Sequence, residues 1–201
     1  MNTLVQHLPE LALAAALAWG SGLRAYLVVF LIGLAGHAGW VELPAALRVL
    51  QHPLVLGASG FMTFVEFFAD KLPWLDSLWD AVHGFIRIPA GAALAAAVFS
   101  DSGGAVEVAA AILGGSLAAS AHLAKAGSRA VVNASPEPFS NWALSFGEDA
   151  LVPAALWLAI AHPLVLLIAL ALFVVAVIVL ARLLFRAASR WIGRSRSRAS
   201  T

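Results

Sequence analysis

The sequence predicts an all-α protein, a polytopic transmembrane helical bundle of about five spans, and three observations carry that expectation. The 201-residue chain is 62% hydrophobic and only 11% charged, with a mean hydropathy of +0.91, whereas a soluble domain carries about 25% charged residues. Residues Pro163 to Ala181 form an apolar run without a single charge, close to the roughly 20 residues that cross the hydrocarbon core. Six of the twelve basic residues, Arg182, Arg186, Arg190, Arg194, Arg196 and Arg198, follow that run directly. Hydrocarbon rather than water is the main solvent such a chain is built for. A crossing segment must satisfy its own backbone hydrogen bonds, which makes it helical.

Five long apolar segments follow in order. The first, Leu8 to Gly36, is interrupted at Gly20-Ser21-Gly22. It reads as a retained membrane helix rather than a signal peptide, because no Lys or Arg precedes it and the apolar sequence continues beyond Arg24. The second runs from Pro53 to about Ala69, and the third from about Trp79 to Phe99. The fourth, Gly104 to about Val132, is rich in Ala, Gly and Ser; the fifth is Pro163 to about Phe185. Pro44–Gln51 and Leu151–Ala161 are too short to cross unless their flanks extend them, and a sixth span over Trp142–Ala161 is the alternative. Residues 1–186 are thus expected to form one transmembrane domain and residues 187–201 a basic tail. Trp40, Trp74, Trp79, Trp142 and Trp191 lie near segment ends, where amphipathic rings favour the headgroup level; Trp19 and Trp157 are expected in the core.

A basic stretch directly after a span reads as a cytoplasmic anchor in the inner membrane, not as a nucleic-acid site. Under five spans the N-terminus and the stretches 70–80 and 133–149 lie outside. An internal echo accompanies this plan. Pro44-Ala45-Ala46-Leu47 and His52-Pro53-Leu54-Val55-Leu56 recur as Pro153-Ala154-Ala155-Leu156 and His162-Pro163-Leu164-Val165-Leu166, and Gly22-Leu23-Arg24-Ala25 resembles Gly127-Ser128-Arg129-Ala130. With five spans the matched halves, about 8–100 and 104–186, would be inverted, a common plan of membrane transporters. Six spans would remove the inversion from the second match.

Charges inside lipid cost roughly 3 kcal/mol or more each and therefore need partners. Arg24 follows the Gly-Ser-Gly interruption, so a broken first helix is expected there. Arg129 occupies the echoing position, with Lys125 one turn earlier and His122 before that. Two such cations suit an anionic group, or else each pairs with a buried carboxylate. Glu66 and Asp70 share one helical face, and after Pro73 so do Asp76, Asp80, His83 and Arg87. These faces could bind a divalent cation, relay protons or contact substrate; a solvated outer helix is the bland alternative. The stretch from Lys125 to Asp149, with Asn133, Ser135, Glu137, Asn141, Ser145, Glu148 and Asp149, suits a structured loop or a re-entrant element. No cysteine is present, which excludes disulfides and thiolate chemistry.

Three runs carry a resemblance: Gly20-Ser21-Gly22-Leu23-Arg24-Ala25-Tyr26; the pattern from Glu66 through Asp70, Lys71, Pro73, Asp76, Trp79, Asp80, His83 and Arg87 to Pro89; and that from Lys125 and Arg129 through Asn133, Pro136, Glu137, Pro138 and Asn141 to Glu148 and Asp149. Together they resemble a bacterial membrane family, domain-of-unknown-function family 4126, over nearly the whole chain before the basic tail. The resemblance implies the membrane class and marks these residues; it supplies no reaction.

The leading functional expectation is a small transporter or channel for an anionic solute or lipid headgroup. Arg24 and Arg129 would contact substrate, with Glu66, Asp80 and His83 as an ion or proton relay. Asp70, Lys71, Asp76, Arg87, Lys125, Asn133, Glu137, Asn141, Glu148 and Asp149 complete the candidate contacts. No cofactor is implied, and whether a metal binds is left open. A membrane enzyme acting on a lipid-linked phosphate is one alternative, although neither H-E-x-x-H nor G-x-S-x-G occurs. A structural or assembly role is the other. Small residues in Gly104–Ala121 and at Gly57-Ala58-Ser59-Gly60 allow close helix approach within one chain or between copies.

Overall fold

The computed structural model describes residues 6–132 and 138–198. Among these all regular structure is helical: α1 (Leu8–His37), a 3₁₀ segment (Ala45–Gln51), α2 (Pro53–Ala69), α3 (Pro73–Val98), α4 (Gly104–Val132), α5 (Pro138–Ala161) and α6 (Pro163–Arg198). Proline opens α2, α3 and α6, where its missing N–H is no loss. At the start of α2 the His52 side chain accepts a hydrogen bond from the Leu54 N–H at 3.2 Å. Gly39 after α1 and Gly103 before α4 take φ of 73° and 93°, which favour glycine.

Among the described residues five helices are long and apolar enough to cross a membrane: Leu8–His37, Leu78–Val98, Gly104–Val132, Phe139–Ala161 and Pro163–Arg186. The 3₁₀ segment with α2, bent by 69°, would make a sixth. The number five matches the sequence expectation, but the membership differs. Residues Pro138–Asp149, expected in a loop or re-entrant element, are the first half of α5. Pro53–Ala69 qualifies only together with the 3₁₀ segment.

Residues up to Leu167 form one compact unit, and those from Ile168 form a second. The second unit, the greater part of α6, carries no polar residue from Ile168 to Ala181. In the first unit α1 is central and packs against α2, α3, α4 and α5. Its two halves have different neighbours. On the C-terminal side Gly33 abuts Leu50 and Leu56, and Phe30 meets Gly60. On the N-terminal side Ala18 meets Gly91 and Gly114, and Gly22 meets Ala118 and Ala121. Arg24, with non-helical φ −147° and ψ 81°, is the joint between the halves.

The break at Arg24 agrees with the expectation, but the glycines before it serve another purpose. A Cβ on Gly22 would collide with the backbone of Ala118, and one on Gly91 would come within 2.6 Å of the Ala118 Cβ. Between membrane helices little hydrophobic force acts, so close van der Waals contact at small residues holds α1, α3 and α4 together. These contacts pair rising numbers on α1 with rising numbers on α4. The two helices therefore run in the same sense, and the opposed orientation expected of inverted halves is not found. Trp19 is buried as expected, whereas Trp157, expected in the core, is 60% exposed.

Replacing Gly22 by Leu should lower stability by about 3 kcal/mol or prevent assembly, because the backbone of Ala118 cannot yield. Gly57→Ala, with nothing within 4 Å of the added carbon, should leave the thermal unfolding midpoint in detergent unchanged or slightly higher.

Candidate functional site

Around Arg24 four helices contribute charged side chains that would each be costly to bury alone. Asp70 closes α2 and is fully buried. Its Oδ2 lies 2.9 Å from Lys125 Nζ, 3.1 Å from Arg24 Nη2 and 3.5 Å from Arg129 Nη2. One carboxylate oxygen thus draws together cations from α1 and α4.

Each of those cations reaches further carboxylates. Arg24 pairs through Nε with Asp149 at 2.9 Å and donates from Nη2 to Ser145 Oγ at 3.1 Å. Arg129 donates to Asp76 at 2.9 Å, to the Asn141 side-chain oxygen at 2.7 Å and to Glu148 at 3.1 Å. Lys125 also lies 3.2 Å from Glu148 and 3.3 Å from Asp80, and donates to the Leu23 carbonyl at 3.2 Å. That last bond reaches a carbonyl just before the helix break.

Next to this hub, Arg87 stands between Glu66 and Asp80, each at 2.5 Å. The side chains at 76, 80, 83 and 87 are all buried, so the spacing that placed them on one face aims them inward. The solvated outer helix considered for this stretch is not what forms. Lys71 lies at the edge, 3.5 Å from Asp149 and over the Phe67 ring at 3.1 Å.

The network joins six carboxylates, Glu66, Asp70, Asp76, Asp80, Glu148 and Asp149, to five cations, Arg24, Lys71, Arg87, Lys125 and Arg129. Among the described residues one negative charge is left over when all are ionised. In the Glu66–Arg87–Asp80 group two carboxylates share one guanidinium, Asp80 also faces Lys125 at 3.3 Å, and Glu66 Oε2 and Asp80 Oδ2 have no hydrogen-bond partner among the described residues. Burial alone would push the Asp70 carboxyl up, but Lys125, Arg24 and Arg129 together hold it below the usual carboxylate range. Burial lowers the Lys71 ammonium.

Of the sequence-predicted residues, Arg24, Glu66, Asp70, Lys71, Asp76, Asp80, Arg87, Lys125, Arg129, Asn141, Glu148 and Asp149 come together. His83 is buried beside them, but its Nδ1–H donates to the Trp79 carbonyl at 2.9 Å and its ring stacks on Trp79. Asn133 and Glu137 lie outside the described residues. Among the described residues no group of three or more His, Asp or Glu side chains is arranged to hold a metal ion; the carboxylates turn toward cations. His122, which the sequence reading set beside Lys125 but not among the contacts, borders Asp80 in a cavity. Its signal was the same one-turn spacing on α4.

Fold and site define a multi-pass helical membrane protein with a buried ionic core. The chain belongs to the family described as Domain of unknown function (DUF4126), which it matches over residues 11–183. No curated protein and no solved structure matches it.

Removing one partner of a buried ionic group costs about 3–5 kcal/mol. Asp70→Asn should therefore destabilise by that order, measured by thermal unfolding in detergent, while Asp101→Asn at an exposed turn should change stability by about 0.5 kcal/mol or less. Because the folded-state value of Asp70 is depressed, its stabilisation is complete above the ordinary carboxylate value of about 3.9 and is lost as pH falls through the lower folded value. The wild-type unfolding midpoint should fall below about pH 4, and Asp70→Asn should flatten that fall.

Proposed function

We propose that this protein is a small transporter of the cytoplasmic membrane that moves an anionic solute or lipid headgroup together with a proton. The observation that carries the reading is Asp70, a fully buried carboxylate held by Lys125, Arg24 and Arg129. Arg24 and Arg129 are already engaged by carboxylates, so an incoming anion must take the place of one of them. Asp70 stands where such a group would bind.

The same geometry supplies the coupling. Asp70 stays ionised because three cations outweigh the desolvation of its site. An anion that neutralises those cations leaves burial as the dominant influence, and burial favours the neutral acid. Anion binding thus raises the proton affinity of Asp70, and by linkage protonation raises the affinity for the anion. Glu66 and Asp80, sharing Arg87, provide a second place for a proton in the same network, with His83 buried alongside. The arginines that follow the last span favour a cytoplasmic C-terminus under the positive-inside rule.

Proteoliposomes enclosing a pH-sensitive dye test this. An inward gradient of inorganic phosphate, or in a second arm short-chain phosphatidic acid, should acidify the lumen. Arg129→Lys should slow acidification about tenfold or more while the unfolding midpoint shows a folded protein, since lysine cannot reproduce the fork of contacts to Asp76, Asn141 and Glu148. If neither anion drives protons nor raises the unfolding midpoint, the proposal fails.

A further inference from the structure

Between α3 and α4 lies a cavity of about 180 Å³, walled by Asp80 and Ala81 on one side and by His122, Ala126, Arg129 and Ala130 on the other. Three polar atoms of the residues that line it are buried without a hydrogen-bond partner among the described residues: Asp80 Oδ2, Arg129 Nε and His122 Nδ1. Asp80 is 4% and Arg129 2% exposed, so bulk solvent does not serve them. A space lined by a carboxylate, a guanidinium and an imidazole suits water, and a water molecule needs only about 30 Å³. By contrast, the cavity beside Tyr26, about 450 Å³, is walled almost wholly by Ala, Val, Leu, Ile and Met.

The cavity has an outer and an inner end. Ala81 and Ala130 are exposed and His122 is half-buried. The inner wall is the ionic core itself, because Asp80 pairs with Arg87 and Lys125, and Arg129 with Asp76 and Glu148. Gly84 makes room for the imidazole: a Cβ there would lie 2.6 Å from His122 Nε2. The charged groups that act on His122 are Arg87 and Asp80 from α3 and Lys125 from its own helix.

We infer that this cavity is water-filled and is the route by which protons reach the core, with His122 as the carrier at its mouth. A proton from water binds the imidazole. Nδ1–H then releases it through a bridging water to Asp80 Oδ2, which restores the neutral ring and leaves a protonated carboxyl beside Arg87. The direction of this step rests on the transport reading; the hydration of the cavity does not.

The chain contains no cysteine, so a single introduced thiol reports alone. In the full chain reconstituted in liposomes, with a charged methanethiosulfonate reagent on both faces, Ala126→Cys should react about ten times faster than Leu123→Cys. Leu123 lies on the same helix and is 66% exposed on the bundle exterior. Equal rates would overturn the water-filled cavity. The ¹⁵N resonances of His122 should show a change of protonation between roughly pH 4 and 8; a ring neutral throughout would remove His122 as carrier. Fast labelling at Ala126 with no anion-driven proton flux would keep the cavity and refute the transport reading instead.

Discussion

Eleven ionisable side chains gathered in a bundle core can persist only if each charge is answered within the chain. That requirement governs the structure. In a medium of low dielectric an unpaired ion costs several kcal/mol even after relaxation, more than any one helix contact returns. The solution is a lattice rather than a set of pairs. Asp70 answers three cations, Glu148 and Asp80 each face at least two, and Arg129 reaches three carboxylates. No member can be replaced without changing the field felt by the others.

Such a lattice demands short distances between backbones, and the small residues supply them. Gly22, Gly91 and Gly114 bring α1, α3 and α4 to the spacing at which Lys125 reaches the Leu23 carbonyl and Asp70 together. The departure from helical geometry at Arg24 lies beside that contact. Packing and electrostatics are therefore one arrangement, in which the glycines set the depth from which the cations can meet their partners.

Much of this was legible in the chain alone. Long apolar runs announce spanning helices whatever their neighbours, so α1 and α4 were expected nearly at their observed limits and α6 at its start, although that helix continues to Arg198. Charged residues at helical spacing within or beside such runs marked Glu66, Asp70, Asp76, Asp80, Arg87, Lys125 and Arg129, because a charge in lipid needs a partner. Three things were not legible. The first half of α5 is polar, and its hydropathy resembles a loop because Asn141, Ser145, Glu148 and Asp149 point at partners from distant segments. The sequence echo between the halves carries no information on direction, which depends on how many times the chain crosses between them. Which carboxylates pair with Arg24 and Arg129 was not legible either, because Asp70, Asp76, Glu148 and Asp149 come from other helices.

The distances along the chain between those partners bear on how the protein is made. Arg24 is translated long before Asp70, and Asp70 before Lys125 and Arg129. The early helices must consequently pass into the bilayer, or wait at its edge, with some of their counter-charges not yet synthesised. Insertion of α1 by itself would strand a guanidinium in hydrocarbon, so the early helices are best served by a sheltered, hydrated vestibule until α5 emerges from the ribosome. Biogenesis of this small protein is in that sense a concerted event, completed when the last carboxylates arrive.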